Sequence, residues 1–319
     1  MSDQNSSRRD FMKTSAAAAA AASAQTTSAA QAPAGVEADS IRAAEWPASR
    51  PLNRKVLWNE LSRSEFPPLL ENDPVVILPI GSLEQHGPHC PVDMDISIPY
   101  HIAVATAEDI DDFPVVVGPP VWTGFTHYNM GGYGTITVRL ETFIDVVSDV
   151  CRSIKANGFD RIILMNGHGG NVAPVTAIAN KLAHENIITL SFPYWSLVQQ
   201  EMRDWSTADM RGPGHAGEWE TAFQMYLRPH LVLMDRREAG KARWPFSPAV
   251  RGYAHVPERR RESANGSMGD PFAATPEKGE RIFKLAVERL TAMVREFHAT
   301  PVLEYEEFGS DAKVLPTLF

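Results

Sequence analysis

The 319-residue chain contains only two cysteines and, past its first thirty residues, no apolar run near the roughly 20 residues that a membrane-crossing helix requires. A disulfide framework is therefore excluded as the source of stability, and Cys90 and Cys151 are read as free thiols. Positive charge is also in short supply, with 30 Lys and Arg against 39 Asp and Glu, a net charge of −9. Such a chain repels phosphate backbones and anionic lipid surfaces, so neither nucleic acid nor a membrane anchor is expected as a partner. The one dense basic run, Arg259-Arg260-Arg261, is flanked by Glu258 and Glu262 and reads as a solvated loop. Internal repeats are absent. What is present, 44% hydrophobic and 22% charged residues, describes a globular protein. A body of this size buries roughly 75% of its unfolded surface, so a metal found in it serves chemistry rather than cohesion.

The N-terminus reads Ser7-Arg8-Arg9-Asp10-Phe11-Met12-Lys13, then a run of alanines, then Ser23-Ala24-Gln25. This resembles a bacterial twin-arginine export signal, spanning residues 1–24, with a small-residue cleavage site. The resemblance implies the export machinery as a partner and a periplasmic or secreted destination. Residues 25–50, rich in Ala, Ser, Thr and Gln, read as a flexible linker, and 51–319 as one domain.

Beyond about residue 55, short β-branched runs alternate with segments of helical period, the pattern of an α/β fold with a mostly parallel central sheet. Strands are expected at 75–80, 115–117, 162–165, 187–190 and, more weakly patterned, 231–233. Residues 142–156 place Ile144, Val147, Val150, Cys151 and Ile154 on one helical face, and Asn157-Gly158 supplies a C-cap. Thr275-Pro276-Glu277 opens a helix to about Phe297. Residues 244–270, rich in Pro and Gly, read as a long loop, and the last twenty as a surface-packed tail.

Three clusters carry chemistry. Gly81-Ser82-Leu83-Glu84-Gln85-His86 follows a strand directly, and in extended chain Glu84 and His86 project to one side, as two ligands of one site must. Asn166-Gly167-His168-Gly169-Gly170-Asn171 leaves another strand, and a histidine set among glycines gains little packing. The third, Gly212 to Glu220, contains a formal G-x-G-x-x-G, but no strand precedes it and Pro213 stiffens it, which excludes a dinucleotide fingerprint. His215 there suits proton transfer or metal binding, and because Glu218 and Glu220 cannot share a helical face, only one is expected in the site.

Glu84-Gln85-His86-Gly87-Pro88-His89 with Asp95 downstream, Asn166 to Asn171, and His215-Ala216-Gly217-Glu218-Trp219-Glu220-Thr221 together resemble the creatininase (creatinine amidohydrolase) family, in order and separation, from about residue 58 to about 297. The resemblance implies a three-layer α/β/α sandwich, a homo-oligomer, usually a hexamer, and hydrolysis of a C–N bond in a small cyclic or linear amide at two divalent metal ions. It also implies ligands: Glu84 and His168 for one metal, His86 and a late carboxylate for the other, Asp95 bridging, and His215 as proton donor to the leaving nitrogen. Creatinine-hydrolysing members carry the late carboxylate two residues after the second-motif histidine, where this chain has Gly170; Glu220 is the matching substitute, with Glu218 in reserve. Such an N/O donor set suits Zn²⁺, Mn²⁺ or Fe²⁺.

Substrate contacts are assigned to Arg211, which replaces a family tryptophan and suits a carboxylate-bearing amide, to Trp195, and to His127 in the Gly-rich stretch Gly124 to Thr135. His89 is expected to orient its loop, while His101, His184, His230, His255 and His298 read as surface or packed residues. Two alternatives remain open: a peptide-trimming or formamide-type hydrolase of the same family, and a noncatalytic periplasmic binding protein that keeps the pocket.

Overall fold

A computed structural model of the protein describes residues 55–241 and 263–301. The expected signal and linker, the Arg259-Arg260-Arg261 run, most of the long loop and the tail lie outside the described residues. Four apolar segments pair in parallel, β1 (Val75–Ile80), β2 (Val115–Val117), β3 (Arg161–Asn166) and β4 (Thr189–Pro193), in the order β2-β1-β3-β4. β1 and β3 are in the middle and buried on both faces, so their sequences are continuous apolar runs.

Alternate residues of the central strands feed two cores. Val76, Leu78, Ile162 and Leu164 point to one face, covered by α3 (Leu140–Ala156) and α4 (Val172–Ala183) through Phe143, Val147, Cys151, Ile178 and Leu182. Val75, Ile77, Ile163 and Met165 point to the other, covered by α2 (Met94–Asp109), α6 (Glu218–Leu227) and α7 (Pro276–Ala299). The expected three layers are thus formed. Two short helices add to these cores, α1 (Phe66–Leu70) to the first through Phe66, Leu69 and Leu70 and α5 (Gln199–Asp204) to the second through Met202.

The predicted caps are in place. Gly158 takes φ +98° after α3, and the Thr275 side chain accepts from the Lys278 N–H at 3.2 Å to open α7. Both cysteines are free. β4 begins two residues later than expected and runs on to Pro193. Residues 231–233 are not a strand: Leu231 ends the short 3-10 turn Pro229–Leu231, and Leu231 and Leu233 are exposed, at 38% and 43%, rather than facing a core. Pro229 fixes the backbone at the turn's first position, and that overrides the β-branched pattern.

Helix α2 lay hidden in the sequence. Thirteen of its sixteen residues are buried, so no polar face marks its period. Pro99 in its interior has no N–H for the Asp95 carbonyl four residues back. The exits of β1 and β3 press on that carbonyl: a Cβ on Gly81 would lie 2.7 Å from it, and one on Gly167 only 1.9 Å. Glycine is therefore obligatory at both exits, and this close approach brings the first two sequence clusters onto the helix that carries Asp95.

Candidate metal centre

At the carboxyl ends of β1 and β3, three carboxylates and three imidazoles meet. The ligand-capable atoms of Glu84, Asp95 and His168 lie within 4.8 Å of one another, as do those of His86, His215 and Glu220, and all six side chains are buried. Asp95 reaches both groups: its Oδ2 is 2.9 Å from His168 Nδ1 and its Oδ1 is 3.2 Å from His86 Nε2. Glu84 Oε2 lies 2.7 Å from His168 Nδ1, and Glu220 Oε2 lies 3.6 Å from His86 Nε2.

Tautomers follow from the neighbouring carbonyls, which can only accept. His86 Nδ1 donates to the Glu84 carbonyl at 2.9 Å, which leaves its Nε2 as the lone-pair nitrogen. That Nε2 is buried and makes no hydrogen bond, an orphaned donor atom facing two carboxylates. His168 Nε2 donates to the Phe125 carbonyl at 3.3 Å, so its Nδ1 lone pair faces Glu84 and Asp95. Both rings thus present a bare nitrogen to a carboxylate cluster, which is how a divalent cation is received.

The cluster attracts positive charge, which a proton or a divalent cation can supply at the same two nitrogens. Burial opposes charge on His86 and His168, yet the facing carboxylates, Asp95 and Glu220 for the first and Glu84 and Asp95 for the second, raise both pKa values to about 10. Burial works against the Glu84 and Asp95 carboxylates too, but the imidazoles outweigh it and hold both below the usual range. Glu220 goes the other way: burial, offset in part by His86, pushes it up to about 7.

The surrounding loops are clamped by side chains that bear no charge. Asn166 bonds both backbone groups of His168, and Asn171 joins the Gly81 carbonyl to the Phe125 N–H, so the second cluster's asparagines fix its loop to two others. Asn129 and Thr126 donate to Glu84. Gln85 accepts from the Gly87 N–H and donates to the Gly266 carbonyl, with its Nε2 3.1 Å from His215 Nε2. His215 Nε2 lies 2.8 Å from the Gln85 carbonyl, and its backbone pairs with Met268. Ala216 sits at φ +49°, a left-handed conformation costing an L-residue about 1 kcal/mol. The turn aims its N–H at Glu220 Oε2, 2.6 Å away.

Glu218 and Glu220 diverge as the helical spacing required. Glu220 enters the cluster, while Glu218 is held by Lys278, Ser206 and the Thr207 N–H. His89 bonds Thr221 Oγ1 at 2.9 Å through Nε2 and so ties the first loop to α6. His101 is packed, its Nδ1 2.6 Å from the Ser97 carbonyl.

A cavity of about 170 Å³ opens onto the cluster, walled by Tyr128, Trp195, Pro213 and Gly214. Of the three residues expected to touch substrate, the structure brings only Trp195 there. Arg211 is exposed and does not line the cavity, because glycines at 212 and 214 with positive φ turn the chain between it and His215. His127 is also exposed, and its Nδ1 lies 3.2 Å from Thr137 Oγ1. Its neighbour Tyr128 lines the cavity instead. A larger cavity of about 550 Å³, between the β4 edge and the end of α7, holds no ligand-capable cluster among the described residues, and its Arg161 is committed to Asp73 and to the carbonyls of Phe297 and Thr300.

Residues 59–294 match the family profile described as creatinine amidohydrolase. The chain belongs to the creatininase family. This creatininase-family chain is 30% identical over 256 residues, 76% of its length and 93% of the relative's, to a mycofactocin precursor peptide peptidase of Mycobacterium ulcerans. It is 28% identical to a creatinine amidohydrolase of Pseudomonas putida, covering 77% of this chain and 98% of that one. A solved structure described as creatininase Mn superposes with a TM-score of 0.64 at 26% identity, covering 77% of this chain and all of the other. Residues 5–24 match the signal of the twin-arginine translocation pathway. The protein is a creatininase-family metal-dependent amidohydrolase carrying an export signal.

Proposed function

We propose that the enzyme hydrolyses the C–N bond of a small cyclic or linear amide outside the cytoplasm, in the periplasm or after secretion, using two divalent ions of Zn, Mn or Fe. The observation that carries this reading is the orphaned Nε2 of His86 across Asp95 from the bare Nδ1 of His168, two nitrogen donors on either side of one carboxylate. Glu84 and His168 would hold one ion, His86 and Glu220 the other, with Asp95 shared. The pair, when bound, supplies an activated water and polarises the amide carbonyl. His215, on the cavity wall, gives a proton to the departing nitrogen, without which an amine leaves poorly. Trp195 and Pro213 wall the space the amide would enter, and Gln85 keeps His215 facing the cluster through its carbonyl.

A cavity of about 170 Å³ is small beside the roughly 300 to 1,000 Å³ of drug-sized sites, so it admits a small amide or the end of a chain. Similarity to a peptide peptidase favours the second as the alternative reading, trimming of a peptide terminus. The solvent-facing apolar residues Trp122, Met130, Ile136 and Tyr133, the last fully exposed, support a homo-oligomer, a hexamer by family resemblance. In the domain reading, 1–24 is the signal, 25–50 the linker and 51–319 the enzyme.

Metal-loaded protein incubated with creatinine, hydantoins, N-formyl amides and short peptides, alongside Glu220→Gln, tests the reading. Turnover of at least one amide by the wild type and its loss in the variant are expected. No turnover on any member by a fully loaded wild type would transfer the case to a binding protein.

A further inference from the structure

Gly170 stands in a space that no side chain can occupy. A Cβ there would lie 2.5 Å from the Tyr128 hydroxyl, 2.6 Å from His168 Nε2 and 2.6 Å from the Phe125 carbonyl. The volume a side chain at 170 would need is filled from another loop, by Tyr128 in the turn His127–Asn129. The Tyr128 hydroxyl lies 3.1 Å from His168 Nε2, the two rings are nearly parallel at 13°, and the same tyrosine walls the cavity.

We infer that Tyr128 is a positioning residue for His168 and the determinant of substrate size at this site, a role that the absence of a side chain at Gly170 makes possible. The inference rests on the two-metal reading above and deepens it. His168 Nε2–H is shared between the Phe125 carbonyl and the Tyr128 oxygen, and this sharing keeps Nδ1 bare and aimed between Glu84 and Asp95. A hydrogen bond to the far nitrogen of a ligating imidazole fixes both tautomer and ring angle, and its loss typically weakens metal binding by about 10- to 100-fold. The ring itself sets how far a substrate can extend past His168. The loop fixing Tyr128 is held in turn by Asn129 and Thr126 on Glu84, so the position of the wall and the position of a metal ligand are set together.

Metal-free wild type and Tyr128→Phe, titrated with Zn²⁺ against a competing chelator, test the positioning role. The ring survives this substitution and circular dichroism should not change. One of two binding steps should weaken by about 10-fold or more while the other stays fixed. Tyr128→Ala tests the wall: the ratio of kcat/KM for a bulkier amide to that for the smallest one turned over should rise about 10-fold, the scale set by a few buried methylenes. Wild-type Zn²⁺ binding in two steps with Tyr128→Phe indistinguishable from it would overturn the positioning role alone, and an unchanged ratio in Tyr128→Ala would overturn the wall. Wild type that takes up no metal would bring down the two-metal reading, and this inference with it.

Discussion

The two helical layers on the sheet do different work. The α3 and α4 layer meets the strands through an apolar stripe, with charges such as Asp149, Arg152 and Glu185 paired on its outer surface. The α2, α6 and α7 layer buries polar groups throughout its depth: Asp95, Ser97 and His101 on α2, Glu220 and Gln224 on α6. Those groups are bonded to one another, Gln224 to Ser97 and to Arg228, which holds Asp93 by two bonds just ahead of Asp95. One layer stores stability, and the other spends some of it to hold buried carboxylates at the foot of a small cavity.

Substitutions should separate the layers. Asp95→Asn removes a charge shared by both triads; metal content should fall below one equivalent per chain and kcat by about 10³-fold or more. Retention of both metals in that variant would break the comparison. In the other layer, Phe143→Ala should cost about 3 to 5 kcal/mol in urea unfolding, yet leave metal stoichiometry of the folded fraction unchanged.

One pH effect belongs to the polar layer. Burial, with Arg228 nearby, lowers the His101 pKa from 6.5 to about 4, so the folded protein binds fewer protons there than the unfolded chain between those values. The contribution of this group is therefore whole above pH 6.5 and falls as pH drops toward 4, by at most about 3 kcal/mol. His101→Gln should flatten that part of the stability curve; a parallel curve would remove His101 as the cause. Smallest is Glu218→Gln, expected to cost about 2 kcal/mol through its lost bonds to Lys278 and Thr207 while sparing metal, in contrast to Glu220→Gln two residues on.

The same contrast explains what could be read from the chain. β1, β3 and α3 were legible because apolar run length and one-sided period report burial on both faces or on one. Glu84, His86, His168 and His215 stood out because glycines and strand exits frame them. Helix α2 was not legible, since burial on every side erases the period, and its interior holds Pro99, a residue helix interiors disfavour. Asn129, Thr126 and Tyr128 were missed for a related reason: their value comes from Glu84 and His168, over forty and forty residues away, and no local pattern records it. Arg211 looked well placed in sequence, and two left-handed glycines carried it out of the cavity.

The central claim is that six buried side chains form one centre for two ions with Asp95 between them. Elemental analysis of the purified, reconstituted and desalted protein tests it directly. The account predicts close to two equivalents of Zn, Mn or Fe per chain, and one equivalent or fewer at saturating metal would contradict it.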